Sequence, residues 1–165
     1  QELSRKFEDK NVQLDFASAA ELSYADIRPL DQVLIHLFNN SVDHGIETAS
    51  ERKVAGKSES GRIEISCRVE ERNLNLTISD DGRGIDRDRL ITKATEKGLP
   101  IPENPLDLIF LSGLSTKEEA SLVSGRGIGM DAVKSQIEAH GGKINVSSVP
   151  GAGTTFTISL PLENH

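Results

Sequence analysis

Apolar residues recur at every second position in four stretches: Ile63, Ile65, Cys67 and Val69; Leu74, Leu76 and Ile78; Ile144 and Val146; and Phe156, Ile158 and Leu160. Period two sends successive side chains to opposite faces, so each stretch predicts a strand with one buried face. A further strand is expected at Val12, Leu14 and Phe16. Polar turns at Glu71 and Arg72 and at residues 150–153 join two of these pairs, which predicts antiparallel hairpins. Helical spacing covers about residues 26–44, 86–97 and 128–140, the last carrying Met130, Val133 and Ile137. Single-faced strands with interspersed helices predict an α/β two-layer sandwich, a mixed and mostly antiparallel sheet with every helix on one face. Residues 98–127 are rich in Pro, Ser and Gly, interrupted by the apolar patch from Leu106 to Leu111. So long a connection inside one domain predicts a functional lid or binding loop, which we place at residues 112–125.

Charge and composition narrow the function classes. With 19 Lys+Arg against 26 Asp+Glu in 165 residues the net charge is −7. That argues against a nucleic-acid groove, which needs clustered basic residues, but allows a small polyphosphate held by backbone N–H groups. The apolar run Val33 to Phe38 is broken by His36 and is far short of the roughly 20 residues a spanning helix needs. No direct membrane contact is expected. The lone Cys67 cannot form an internal disulfide and alternates with Ile63 and Ile65, so it reads as core packing in a reducing, cytoplasmic compartment. The chain opens on Gln1 and its only methionine is Met130. We expect a piece of a longer protein, with residues 1–10 as a linker from a preceding domain, 11–163 as the functional domain and 164–165 as a tail.

Three constellations carry chemistry. On the first predicted helix, His36, Asn40 and Asp43 fall within roughly 60° of one another beside the apolar arc of Val33, Leu34, Leu37 and Phe38. After the strand ending at Ile78 comes Asp80-Asp81-Gly82-Arg83-Gly84. Asp80 is in phase with the buried residues and Asp81 is not. A carboxylate at the end of a core-facing row needs hydrogen-bond donors, which an adenine amino group would supply, while Gly82 and Gly84 would let the backbone approach closely. The third run, Ser124-Gly125-Arg126-Gly127-Ile128-Gly129-Met130, opens the last helix and offers free N–H groups to phosphate. A dinucleotide fingerprint fails because position 130 is Met, and a P-loop at Gly56-Lys57-Ser58 fails because its first glycine would fall on Glu51. The first two constellations also have an ordinary structural reading: a polar helix boundary and a strand-ending Asp-Gly turn.

Taken together, their order and separation resemble the GHKL superfamily, the ATP-binding fold of gyrase, Hsp90 chaperones, histidine kinases and MutL. Within it, the runs from His36 to Glu47, Asp80 to Asp86, Gly113 to Lys117 and Ser124 to Asp131 are similar to chemotaxis-type, CheA-like histidine kinases. The resemblance implies the Bergerat fold, ATP and Mg2+ as ligands, and transfer of the γ-phosphoryl group to a histidine elsewhere. It makes Asn40 the magnesium ligand, Asp80 the adenine reader with Gly82 and Gly84 beside it, and Thr154 a neighbour of the base. His36 heads the first box in a proton-handling position and His44 lines the phosphate side. Lys93 and Lys117 would contact phosphate. Gly125, Arg126, Gly127, Ile128, Gly129 and Met130 would close over it. The implied partners are ATP and ADP, a His-containing phosphoacceptor domain, a dimerisation domain and a downstream response regulator. Two positions depart from the pattern: Asn39 stands where the family carries Arg, and Leu114 where its lid carries Phe. A gyrase- or chaperone-like ATPase generally wants Glu at the head of the first box, where this chain has His36. A nucleotide-sensing module without transfer activity is the other alternative, motivated by Asn39.

Overall fold

The computed structural model describes residues 10–18, 27–114 and 129–162. Its sheet has five strands in the order β1-β2-β3-β5-β4: β1 (Asn11–Ser18), β2 (Ser60–Glu70), β3 (Asn73–Asp80), β4 (Lys143–Val149) and β5 (Gly153–Pro161). All neighbours are antiparallel except β1 and β2, which run parallel with Leu14 opposite Ile63. Parallel strands need a crossover. Here it contains α1 (Asp31–Asn40) and α2 (Ala49–Val54). The predicted hairpin at Glu71 and Arg72 is present, with both residues at positive φ (47° and 67°), which matches the twist of the flanking strands.

Leu74, Leu76, Ile78 and Asp80 on β3, with Phe156, Ile158 and Leu160 on β5, face one way and are buried. Asn75, Thr77, Asn145 and Thr157 face the other way and are partly or fully open to solvent. The buried face packs against Val33 and Leu37 of α1 and Val133 and Ile137 of α4 (Met130–Ala139), forming one continuous core. α3 (Arg87–Glu96) begins at Asp86, whose carboxylate caps the Arg89 N–H at 2.9 Å. Beyond it, Ala94, Leu108 and Leu114 make a small satellite cluster.

Several expectations need correction. β1 forms, but Leu14 and Phe16 are 53% and 68% exposed, because the strand lies at the sheet edge beyond the described helices. Val69, at the far end of β2, is likewise exposed. The first long helix is three pieces: a 3-10 turn (Arg28–Leu30), α1, and a π-helical turn (Ser41–Gly45). Residues 98–114 are more ordered than Pro and Gly content predicts, since a 3-10 helix (Pro105–Phe110) buries Leu106, Leu108 and Phe110. The rest of the expected lid lies outside the described residues. α2 was not anticipated, although Thr48 and Glu51 form a capping box that the spacing Thr-x-x-Glu announces.

Candidate functional site

The π-helical turn starts where the row Val33–Leu37–Ser41 meets the sheet, so Ser41 arrives buried at 4% exposure. A hydroxyl there needs a partner. It donates to Asp80 Oδ2 at 2.9 Å. Asp80 Oδ1 accepts from the Gly82 N–H at 3.0 Å and from the Thr154 N–H at 3.3 Å. Strand register supplies the last of these, since Asp80 pairs directly with Thr154 across β3 and β5. Hydrogen bonds to a charged group stabilise by about 1.5–3 kcal/mol each. Burial outweighs them here: it pushes the Asp80 carboxyl above the usual carboxylate range, with the nearby Asp81 charge adding to the rise and the three donors opposing it. A carboxylate can accept at about four lone-pair sites, and three are filled. The arrangement leaves Oδ2 able to take one more donor.

The first and second motifs touch through their backbones. Arg83 donates its N–H to the Gly45 carbonyl at 2.9 Å, and a Cβ added at Gly82 would come within 2.2 Å of that same oxygen. At Gly84, φ is +72° and an added Cβ would fall 2.4 Å from the Val149 carbonyl. These glycines therefore permit backbone-to-backbone approach, which is the reason found here for their presence. The β4–β5 turn is secured from the same loop: Ile85 N–H donates to Ser148 Oγ at 2.8 Å, and Ser148 Oγ lies 3.1 Å from Thr154 Oγ1.

The third motif meets the first. Asn40 Nδ2 donates to Met130 Sδ at 3.3 Å, joining the end of α1 to the first residue of α4. Because the amide nitrogen faces the thioether, the amide oxygen lies on the other side of the group. Gly129 is the N-cap of α4 in extended conformation, and its first turn carries Asp131, which accepts from Ser112 Oγ at 2.6 Å. That hydrogen bond holds the Asp131 carboxyl below the usual carboxylate range.

His36 is half-buried on α1; burial, and secondarily the charge of His44, lower its pKa, so the imidazole is neutral near pH 7. His44 is exposed and Lys93 half-buried on α3. Lys117, Gly125, Arg126, Gly127 and Ile128 lie outside the described residues. The structure thus brings together Asn40, Asp80, Gly82, Thr154 and Met130, with Gly84 and Gly129 in the same loops.

Sequence reasoning missed a buried ion-pair network beneath this site. Arg52, 1% exposed, pairs with Glu47 at 3.0 Å and with Asp81 at 2.8 Å, and donates through Nε to the Ser58 carbonyl at 2.6 Å. Lys57 pairs with Glu47 at 2.7 Å. Burial opposes ionisation of Glu47, but the Lys57 hydrogen bond and the two cations win and hold its carboxyl below the usual range. The Thr48 cap was the available signal: a helix from 49 to 54 turns Arg52 inward.

Among the described residues, no group of three or more His, Cys, Asp or Glu could hold a metal by itself. The amide oxygen of Asn40 is of the donor type that suits a hard cation. No helix among them is long and apolar enough to cross a membrane.

Residues 25–164 match the family described as histidine kinase-, DNA gyrase B-, and HSP90-like ATPase. The chain is 41% identical over 159 residues to the chemotaxis protein CheA of Salmonella typhimurium, covering 93% of this chain and 24% of that protein. It is 45% identical over 136 residues to the gliding motility regulatory protein of Myxococcus xanthus, covering 78% and 18%. The chain therefore spans about a quarter or less of the length of these relatives. In structure it is similar to the nucleotide-free catalytic domain of histidine kinase ThkA, with a TM-score of 0.59, 23% identity, and coverage of 96% of this chain and 84% of that one. β1 precedes the matched residues yet pairs along its whole length with β2, so the sheet extends beyond the family match. The buried, donor-held Asp80, its contact with the first motif and the family match agree, and the chain belongs to the histidine kinase-, DNA gyrase B- and HSP90-like ATPases.

Proposed function

We propose that this chain is the ATP-binding catalytic domain of a chemotaxis-type histidine autokinase, presenting the γ-phosphoryl group of Mg·ATP to a histidine on another domain or subunit. The observation that carries this reading is the Asp80 carboxylate, buried at the mouth of the sheet and held by Ser41, Gly82 and Thr154 with one acceptor site to spare. Such a group selects a ligand that offers a single donor, as the exocyclic amine of adenine does. Thr154 closes the same side of the base. The first turn of α4 with Gly129 and Met130 supplies N–H groups toward phosphate. Gly125, Arg126, Gly127, Ile128 and Lys117 complete the phosphate side in this reading, joined by Lys93 and His44. Asn40 would hold Mg2+, whose chemistry there would be neutralisation of phosphate charge. His36, neutral and near the head of the first motif, is suited to accept a proton and orient the incoming imidazole. Catalysis then consists of positioning and charge neutralisation more than covalent chemistry.

The acceptor histidine and the dimerisation domain belong to the parent protein, a response regulator acts downstream of it, and the work is cytoplasmic, in keeping with the buried free thiol of Cys67. Residues 11–163 act as the catalytic unit, with 1–10 as linker and 164–165 as tail. The test incubates the chain with γ-labelled ATP, alone and with a His-containing acceptor domain of a chemotaxis-type kinase. Label on the acceptor supports the proposal; brisk phosphate release by the chain alone favours a gyrase-like ATPase. ATP binding without any transfer favours a nucleotide sensor, the reading that Asn39 motivates, and an Asn39→Arg variant then separates a weakened kinase from a true sensor.

A further inference from the structure

Lys57, the lysine of the rejected P-loop, is spent on the backbone beside Asp80. Its ammonium donates to the Asp81 carbonyl at 2.9 Å and the Gly82 carbonyl at 2.7 Å, with Glu47 Oε1 as third acceptor at 2.7 Å. A trans peptide is planar, so its C=O and N–H point in opposite directions. The Asp81 carbonyl shares a plane with the Gly82 N–H, and the Gly82 carbonyl shares one with the Arg83 N–H. Drawing both oxygens onto Lys57 aims the two N–H groups the other way, where one reaches Asp80 Oδ1 at 3.0 Å and the other reaches the Gly45 carbonyl at 2.9 Å. An ammonium has three donors, and all three are used. Arg52 anchors the far side of the same turn through the Asp81 carboxylate at 2.8 Å, while the Arg62 N–H holds its other oxygen at 2.8 Å.

We propose that Lys57 is a positioning residue for base selection: by clamping two consecutive peptide planes it fixes the rotation of the Asp80 carboxylate, and with it the preference for adenine over guanine. The proposal rests on Asp80 being the base acceptor. Adenine offers an amino donor to that oxygen; guanine offers a carbonyl at the equivalent edge, which a fixed carboxylate repels. A carboxylate released from the Gly82 N–H can turn away, losing the donor from adenine and relaxing the penalty on guanine. Lys57 is itself not in contact with the base in this scheme, and because its side chain is mostly buried, at 18% exposed, the test uses Met, which keeps an unbranched chain of similar length.

The experiment measures ATP and GTP affinity by titration calorimetry on the 165-residue chain and on Lys57→Met, and records the Gly82 amide proton by NMR. An N–H bonded to a carboxylate resonates downfield, so the variant should move that resonance upfield. The ATP:GTP affinity ratio should fall about tenfold, the order expected for one misdirected hydrogen bond to a charged group. Equal weakening of both nucleotides, an unchanged ratio, or an unmoved Gly82 amide overturns the proposal. Should the variant fail to fold, Lys57→Gln, which keeps a donor for one carbonyl, is read by the same criteria and should lie between parent and a full loss. Asp80→Asn separates the two levels: if it keeps the parent's ATP preference, the base-acceptor reading is wrong; if it loses that preference while Lys57→Met retains it, the role of Lys57 alone fails.

Discussion

Ser41 and Asp80, 39 residues apart, share a 2.9 Å hydrogen bond that ties the π-helical turn to the end of β3. The bond orients Asp80 Oδ2, while Gly82 and Thr154 occupy Oδ1. An asparagine fits the same three partners, with its oxygen accepting both N–H groups and its amide donating to the Ser41 oxygen. What it cannot do is accept from a base on that side. We therefore expect Asp80→Asn to fold but to lose about 1–3 kcal/mol of ATP binding, measured by titration calorimetry.

The same substitution should alter the pH dependence of stability. Burial raises the folded Asp80 pKa, so in the window between its unfolded and folded values the native state holds the extra proton. Stability then falls as pH rises through that window. Above it, the parent bears the cost of a buried anion and the variant does not. Urea unfolding should place Asp80→Asn at or above the parent at neutral pH, with the difference shrinking on acidification.

His36 carries the opposite sign. Its folded pKa is depressed, chiefly by burial, so its contribution to stability is complete above the ordinary histidine value of about 6.5 and is lost as pH falls through the folded value. A His36→Gln variant should show a shallower acid loss of stability than the parent, and the parent's His36 ring proton should titrate below the ordinary histidine value by NMR.

Asn40 should govern magnesium dependence. Asn40→Ala removes one oxygen ligand and one contact to Met130, so Mg·ATP affinity should fall much more than affinity for metal-free ATP. Equal weakening with and without magnesium would remove Asn40 from the metal's shell.

Arg52 is the stability residue of the site. It is 1% exposed and neutralises both Glu47 and Asp81. Arg52→Met would leave both carboxylates without their shared partner; since Lys57 still holds Glu47 and Asp81 is partly exposed, the loss should be about 3 kcal/mol, the lower end for breaking a buried pair from one side. Chemical denaturation should show a loss of that order, well beyond what the exposed Arg62–Glu64 pair at 3.4 Å yields on substitution.

The sequence by itself determined what is periodic or spaced. Alternation at Leu74, Leu76, Ile78 and Asp80 placed the carboxylate on the buried face, and the fold keeps it there because a strand's two-residue period leaves no other choice. The three glycine- and Asn-bearing motifs were legible for the same reason: close backbone approach admits few residue types. Tertiary structure alone decided which distant groups meet. The exposure of Leu14 and Phe16 follows from β1 lying at the sheet edge, a matter of strand order that local pattern does not encode. The break of the first helix into α1 and a π-helical turn follows from Ser41 reaching for Asp80. The chain's local pattern carries no signal for the burial of Lys57 and Arg52, because a charged side chain's burial is set by partners contributed from elsewhere: Glu47, and the Asp81–Gly82 turn brought alongside when β3 pairs with β2.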